Sequence, residues 1–196
     1  DTNVTTGAIK QVVSIIKERL NYPYSAIAKV AFSSKQFQNL PQRTYHLQGI
    51  KLKVPKNYVT REEADDGIAG YYRKSDGTLD ANKVYQDWDG SFREGLIYSN
   101  NPAWILNDIV TNNRYGLGDF VSQFDVDKYS LYRIARYCDE LVDDGKNGLE
   151  PRYTLNTYFT KSVQAYKVLK DLLTNFLSMI YYIDGQILAV QDAPTG

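Results

Sequence analysis

The sequence has few residues with specialised side-chain chemistry, with one cysteine, Cys138, and one histidine, His46, among 196 residues. A single cysteine excludes an intrachain disulfide and a multi-thiolate metal site, and a single histidine excludes metal sites with two or three imidazole ligands. No apolar run approaches the roughly 18 residues that a membrane-spanning helix requires. Lys plus Arg and Asp plus Glu each number 23, so the formal net charge is zero. The composition therefore provides no general attraction to nucleic acid or anionic membranes.

Motifs of common enzyme and nucleotide sites are also missing. There is no Gly-x-Ser-x-Gly and no His-Glu-x-x-His. Gly116-Leu117-Gly118 follows a predicted helix instead of opening one after a strand, which favours a helix C-terminal cap over a phosphate loop. Residues 143–150 resemble a calcium loop only in part, because Gly145 and Thr154 stand where the third and twelfth positions should supply ligands. We predict a turn there.

The remaining titratable candidates have structural interpretations. Two pairs of acids could be imagined as glycosidase carboxylates, namely Asp87 with Asp89 and Asp139 with Glu140. Neighbouring acids are more often solvated surface charge. Cys138 lies on a predicted apolar helix stripe, which favours a buried inert thiol, and His46 alternates with apolar residues as a structural strand residue. The sequence therefore predicts no catalytic, cofactor-binding or metal-binding residue, and no cofactor.

Tyrosine is abundant, with 17 residues. Its ring offers a large rigid area with a polar tip, which suits surfaces that are partly buried against partner proteins. The alternative interpretation is that Tyr takes the place of Phe in the core and in sheets.

The first part of the chain is predicted to contain one helix and several strands. Apolar residues at spacings of three and four predict a helix over residues 5–20, with Ile9, Val12, Val13, Ile16 and Leu20 on one face. Alternating residues predict a strand at 26–33. A second alternating stretch at 43–54 predicts one long strand, or a pair bent at Gly49.

Two helices are predicted between residues 102 and 142. Asn101-Pro102 opens the first, over 102–112, because Pro is favoured at the first helical position. Its shared side is predicted to hold Trp104, Ile105, Asp108, Ile109 and Asn112. Asp127 caps the second, over 128–142, whose apolar face is Leu131, Ile134, Ala135, Cys138 and Leu141. The turn at 143–148 closes it.

The C-terminal part is predicted to form a strand, a helix and a hairpin. Residues 152–159 alternate as a strand. A helix over 163–177 has the buried stripe Val163, Tyr166, Leu169, Leu172, Leu173, Phe176 and Leu177. The dipeptide Asp184-Gly185 between the apolar runs 179–183 and 186–190 predicts a β-hairpin.

These elements predict an α+β fold, with antiparallel strands in the first part and helices packed on a small antiparallel sheet, ending in a β-hairpin, in the second. Residues 56–86 are a polar connection, interpreted as a flexible loop, an excursion along a partner, or a hairpin around Ser75-Asp76-Gly77. The predicted organisation is a helix-plus-strand portion at 1–60, a flexible or excursion loop at 61–86, and an α+β domain at 87–196, or one continuous domain.

Several sequence blocks together resemble a known family. In the second half they are WDGSF at 88–92, NNPAW at 100–104, RYGLG at 114–118, SLYRIARYCD at 130–139, VDDG at 142–145, EPRYT at 150–154, QAYKVL at 164–169 and QDAP at 191–194. In the first half they are YPYSA at 22–26, QF at 36–37 and RTYHL at 43–47. From about residue 22 to residue 194 the chain resembles the tail tip attachment protein J family of lambda-like phages, in its hub portion. The stretch at 61–84 departs from the tightest members of the family.

The resemblance implies a non-enzymatic structural component of the phage tail tip, part of a central tail hub involved in tail assembly and host attachment. The implied partners are other copies in a trimeric hub, neighbouring tail tip and tape measure proteins, and a host receptor contacted through other regions of the full-length protein. No nucleic-acid site or membrane segment is expected. The implied location is the virion tail tip, after synthesis in the bacterial cytoplasm from a phage or prophage gene. The chain starts at Asp1 without an initiator Met, which we interpret as an excerpt from a longer protein.

Two other functions stay open at this point. One is a carbohydrate- or receptor-binding module, in which exposed Tyr and Trp rings would serve as sugar platforms. The other is a cell-wall hydrolase domain, for which the sequence offers no metal set and no convincing nucleophile.

Overall fold

The computed structural model describes residues 44–47, 49–59, 88–159 and 163–193, the backbone of 71–72, and Lys35, Asn39 and Gln42 individually. The chain divides into two compact units, Asp1–His46 and Leu47–Gly196. The helix predicted at 5–20 and the strand predicted at 26–33 lie outside the described residues. Residues 44–46 are exposed and have no regular secondary structure, so His46 is not held in a strand.

Four short strands form two antiparallel pairs in the second unit. β1 (Lys51–Leu52) pairs with β4 (Ile97–Tyr98), and β2 (Tyr58–Val59) pairs with β3 (Tyr71–Tyr72). The long strand predicted at 43–54 is therefore wrong, since the only regular strand in its described part is β1. The pair β2–β3 lies within the predicted connection at 56–86, whereas the hairpin proposed around residues 75–77 falls outside the described residues. The boundaries at residues 60 and 86 stay a prediction.

Helix α1 (Pro102–Thr111) forms as predicted, but it buries a different face. Asn101 caps it by accepting a hydrogen bond from the Ala103 amide at 3.0 Å. The buried residues are Pro102, Ala103, Trp104, Leu106, Asn107 and Val110. The predicted face was wrong apart from Trp104, because Ile105 and Ile109 are only partly buried. Helix α1 packs against two other helices and β1, so its burial extends around more than one side.

Helix α2 (Lys128–Cys138) begins at its predicted cap, where Asp127 accepts from the Tyr129 amide at 3.0 Å. It was predicted to reach residue 142 but ends at Cys138. The following residues instead form β5 (Leu141–Asp143), which pairs antiparallel with β6 (Leu149–Pro151). The turn between them uses positive φ angles at Gly145 (72°) and Asn147 (66°), conformations that glycine and asparagine adopt most readily.

The strand predicted at 152–159 is wrong. Past Pro151, the described residues of this segment have no regular strand structure. The segment is held by single backbone hydrogen bonds, from Arg152 N to Glu140 O at 2.8 Å and from Tyr153 N to Cys138 O at 3.0 Å. Further along, Leu155 N donates to Asn100 O at 2.8 Å, and the segment pairs with no second strand in the described part of the chain.

Helix α3 (Ala165–Asn175) is shorter than the predicted 163–177, and its stripe is buried only near its C-terminal end. Leu172, Leu173 and Phe176 belong to the core and Leu169 packs partly against it. The other predicted members, Val163, Tyr166 and Leu177, are exposed. Helix α3 is followed by the predicted hairpin, β7 (Ser178–Ile183) paired with β8 (Gln186–Gln191).

The core of the second unit lies between the three helices, the hairpin and the short strands. Its fully buried side chains include Trp104, Phe176, Leu106, Leu131, Val54 and Cys138. The helices contribute most of this core, and β8 packs against α2. The α+β fold with a C-terminal β-hairpin is confirmed.

Candidate interaction surface

The β7–β8 hairpin is the largest regular sheet among the described residues, and a two-residue turn sets its register. Asp184 (φ 50°) and Gly185 (φ 81°) are both in the left-handed region, as a type I′ turn requires. The strands pair without interruption from Ile183 opposite Gln186 to Ser178 opposite Gln191. This register determines which residues share each face, because side chains alternate along a strand.

One face of the hairpin packs on the core. Ala189 is buried, and Ile180 and Ile187 are half-buried against the core cluster. Tyr182 lies on the same face near the turn, but its side chain is exposed. The inner face therefore covers the core only along part of its length.

The other face of the hairpin is apolar and exposed. We call it the outer hairpin face and define it as Met179, Tyr181 and Ile183 on β7 with Val190, Leu188 and Gln186 opposite them. Met179 is 63% exposed, and Tyr181, Ile183 and Val190 are 43–49% exposed. Charged side chains are absent from all twelve strand residues of the hairpin. Contiguous exposed apolar surface of this kind is typical of interaction sites.

The outer hairpin face was not predicted from the sequence. The run SMIYYI over Ser178–Ile183 is apolar at nearly every position, so it has no alternation to distinguish a buried face from an exposed one. A two-stranded ribbon with one face on the core should carry polar residues on its other face. The lack of alternation in the sequence was therefore the signal that could have indicated an exposed apolar face.

The two outer edges of the hairpin differ. The edge of β8 is occupied by the chain itself, because Asp127 N donates to Ile187 O at 2.9 Å and Ala189 N donates to Ser130 Oγ at 3.3 Å. Within the described part of the chain, the edge of β7 has no strand beside it. As far as the described residues extend, the hairpin therefore has one closed edge and one open edge.

The tryptophans belong to a buried aromatic cluster. Trp88 stacks on Tyr132 with ring centroids 4.8 Å apart and makes edge contacts with Phe92, Trp104 and Tyr129. Trp88 is 8% exposed and Trp104 is 0% exposed. Neither indole offers a free ring face, so the two Trp residues cannot be the sugar platforms considered above.

A shallow cleft of about 340 Å³ lies beside this cluster. Phe92, Phe124 and Tyr129 contribute rings to it, and Phe124 is 88% exposed. Lys128 at its wall donates to the Gly90 carbonyl at 2.7 Å. The Lys128 ammonium group is therefore hydrogen-bonded to the protein backbone.

The thiol has the buried environment that the sequence suggested. Cys138 is fully buried, and its burial, followed by the nearby Asp139 carboxylate, raises the pKa of the thiol to about 12. A thiol with so high a pKa contains almost no nucleophilic thiolate at neutral pH.

Three of the four candidate acids lie among the described residues, and their surroundings differ. Asp139 is 9% exposed, which corrects its interpretation as solvated charge, while Glu140 forms an ion pair with Arg152 at 3.0 Å. Asp89 is exposed and accepts from Ser91 N and Oγ. Asp87 lies outside the described residues.

The calcium-like segment forms a turn stabilised by hydrogen bonds. Asp144 Oδ1 accepts from the amides of Lys146 (2.7 Å) and Gly148 (2.9 Å). These bonds lower the pKa of the Asp144 carboxyl. In the described residues there is no group of three or more His, Cys, Asp or Glu side chains that could hold a metal ion.

Comparison with known proteins identifies sequences that are similar to this chain. No family model matches the chain. The chain is 35% identical over 187 residues to tip attachment protein J of Escherichia phage SECphi4, and 32% identical over 187 residues to tip attachment protein J of Escherichia phage SECphi27. The chain is a homologue of one segment of the tip attachment protein J family. Each match covers 95% of the chain and 14% of the relative, so the chain spans about a seventh of the length of these phage tail proteins.

The resemblance inferred from the sequence blocks is thereby confirmed. The matched length of 187 residues includes both halves of the chain, as the positions of the blocks from residue 22 to residue 194 suggested. In the part of the chain that the structure describes, no helix is long and apolar enough to cross a membrane.

Proposed function

We propose that this J-family segment is a structural assembly element of the phage tail tip and carries out no catalysis. In this proposal it forms part of a trimeric central hub, together with neighbouring tail tip and tape measure proteins. Host-receptor contacts are made by other regions of the full-length protein, and the location is the virion tail tip. Homology to tip attachment proteins supports the location.

The observation that carries the assembly role is the outer hairpin face. Met179, Tyr181, Ile183 and Val190 expose apolar surface on a regular, uncharged sheet. Leaving such side chains in water costs free energy that burial against a partner recovers, at about 25 cal/mol for each Å² of apolar surface. An assembled tip that covers this face would therefore gain stability from it.

The location can be tested on intact virions. An epitope tag inserted at the exposed turn residue Lys146 of the full-length protein should be labelled by gold-conjugated antibody at the distal end of the tail. Negative-stain electron microscopy would show the label. Gold along the tail tube or on the capsid would contradict the proposed location.

The role of the outer hairpin face can be tested with two matched substitutions in the full-length protein. Met179→Glu places a charge on that face, and we expect it to lower the yield of complete tails because a carboxylate is costly to bury. Tyr158→Glu is the control, since Tyr158 is 84% exposed and lies outside the hairpin. Equal yields from the two variants, with both proteins folded, would contradict an assembly role for this face.

A further inference from the structure

The open edge of β7 presents backbone hydrogen-bonding groups in a defined pattern. Residues that flank a two-residue hairpin turn form a hydrogen-bonded pair, and such pairs recur at every second position. Ile183, Tyr181 and Met179 therefore direct their N–H and C=O groups toward β8. Ser178, Ile180 and Tyr182 direct theirs away from β8.

The backbone hydrogen bonds of β8 agree with this alternation of inward and outward groups. By the same alternation, Ile187 and Ala189 should direct their backbone groups away from β7. They do so, because the Ile187 carbonyl accepts from Asp127 N and the Ala189 amide donates to Ser130 Oγ. The outward groups of β8 thus have partners, whereas the corresponding edge of β7 faces no strand of the described chain.

The β7 edge also lacks the features that usually prevent strand addition. Exposed edges are commonly blocked by a charged residue, a proline or a bulge. Ser178–Ile183 contains no charged residue and no proline, and its register with β8 has no bulge. Among the described residues, the hairpin sheet therefore ends in a regular, uncharged edge of six residues.

We propose that the β7 edge is a strand-addition site, which binds an extended segment of another tail tip polypeptide as a third strand of the hairpin sheet. This inference rests on the proposed function. The bound segment would form main-chain hydrogen bonds with Ser178, Ile180 and Tyr182. Its side chains would alternate, and those on the side of Met179 and Tyr181 would be apolar and uncharged.

Symmetry argues against a second copy of β7 as the bound strand. Pairing of β7 with β7 of another copy is self-complementary and generates a two-fold axis. A three-fold hub has no two-fold axis relating neighbouring subunits. The bound strand must therefore have a different sequence from β7.

Hydrogen exchange tests the pairing directly. The amides of Ile180 and Tyr182 should exchange at least about tenfold more slowly in purified tails than in the free full-length protein, because pairing protects them. The amides of Tyr181 and Ile183 already bond to β8 and provide the internal control. Unchanged exchange at Ile180 and Tyr182 would overturn the proposal.

Two substitutions at one position separate the backbone from the side chain. Tyr182→Pro removes the outward N–H without removing a bond to β8, and proline is tolerated at such edge positions. Tyr182→Ala removes the exposed ring but keeps the N–H. We expect incorporation into tails to fall about tenfold or more for the proline variant and to be retained for the alanine variant. Equal incorporation of the two variants into tails would overturn the proposal. Unchanged hydrogen exchange of the β8 amides in the free Tyr182→Pro protein would show that its hairpin is intact.

A photo-cross-linker identifies the bound chain. Benzoylphenylalanine at position 182 of the full-length protein should link, in purified tails, to a polypeptide segment other than β7. A link to β7 of a second copy, or no link, would overturn the inference. If gold labelling found the protein absent from the tail tip, the proposed function itself would be refuted. If the protein were at the tip but the Ile180 and Tyr182 amides were unprotected, only strand addition would be refuted.

Discussion

Asn101 joins the first two helices to each other through Ala135. Its Nδ2 donates to the Ala135 carbonyl of α2 at 2.8 Å, while its Oδ1 caps α1 at the Ala103 amide. Asn101 is 0% exposed, so water cannot replace either bond. The same side chain therefore begins one helix and positions it against the next.

The Asn101 side chain should contribute to stability through both bonds. Asn101→Ala removes the cap and one donor to the Ala135 carbonyl, and we expect it to lower the free energy of unfolding by about 1–3 kcal/mol. Asn101→Ser keeps an oxygen for the cap and should cost less. Urea unfolding would measure both. Equal losses would show that the cap contributes little.

Trp104 should behave as a core residue. Its ring is 0% exposed and packs edge-on against Trp88 and Phe92. Trp104→Ala should lower the free energy of unfolding by about 3–5 kcal/mol, the range for a large aromatic in a packed core. Phe120→Ala is the control, because Phe120 is 87% exposed, and its thermal unfolding should change little. A folded Trp104→Ala variant with unchanged melting would contradict this assignment.

Cys138 should make stability depend on alkaline pH. The pKa of its thiol is about 12 in the folded chain, against about 8.5 for an unfolded cysteine. The folded state holds the thiol proton more tightly than the unfolded state does. The thiol's contribution to the free energy of unfolding is therefore complete below about pH 8.5 and is lost progressively as the pH rises toward 12. Cys138→Ala should flatten the fall in stability between about pH 8.5 and 9.5, where tyrosines are still largely protonated. Denaturant unfolding at several pH values would measure this effect. If the thiol contributed nothing, the free energy of unfolding would fall equally with pH in the unsubstituted chain and in Cys138→Ala.

The hairpin turn should require glycine for its backbone angle alone. Gly185 has φ 81°, and an added Cβ would contact nothing within 4 Å. Gly185→Ala should therefore cost about 1–2 kcal/mol through left-handed strain. Gly49→Ala is a matched control, since Gly49 also has open space but no strained positive φ. Equal effects in thermal unfolding would mean that strain at the turn is not the cause.

Calcium should leave the 143–148 turn unaffected. Asp144 Oδ1 already accepts two backbone amides, and Gly145 and Thr154 supply no side-chain carboxylate at the required positions. We expect the melting temperature to be the same with millimolar calcium and with chelator. A calcium-dependent rise of several degrees, absent in Asp144→Asn, would contradict this prediction.

The sequence by itself determined the features that depend on neighbouring residues. Asn101-Pro102 predicted the start of α1, Asp127 predicted the start of α2, and Asp184-Gly185 predicted the hairpin turn. Each signal acts through a cap or a φ angle within a few residues. These features need no knowledge of distant contacts, and the structure has all three.

The tertiary structure alone decided where elements end and which surfaces remain open. Helix α2 ends at Cys138 because β5 pairs with β6, and the buried side of α1 depends on helices that approach it from elsewhere. The edge of β8 is closed by Ser130, which lies 59 residues earlier in the chain. Local periodicity carries no information about such distant contacts. For the same reason, the open edge of β7 and its exposed face became visible only once the chain was folded.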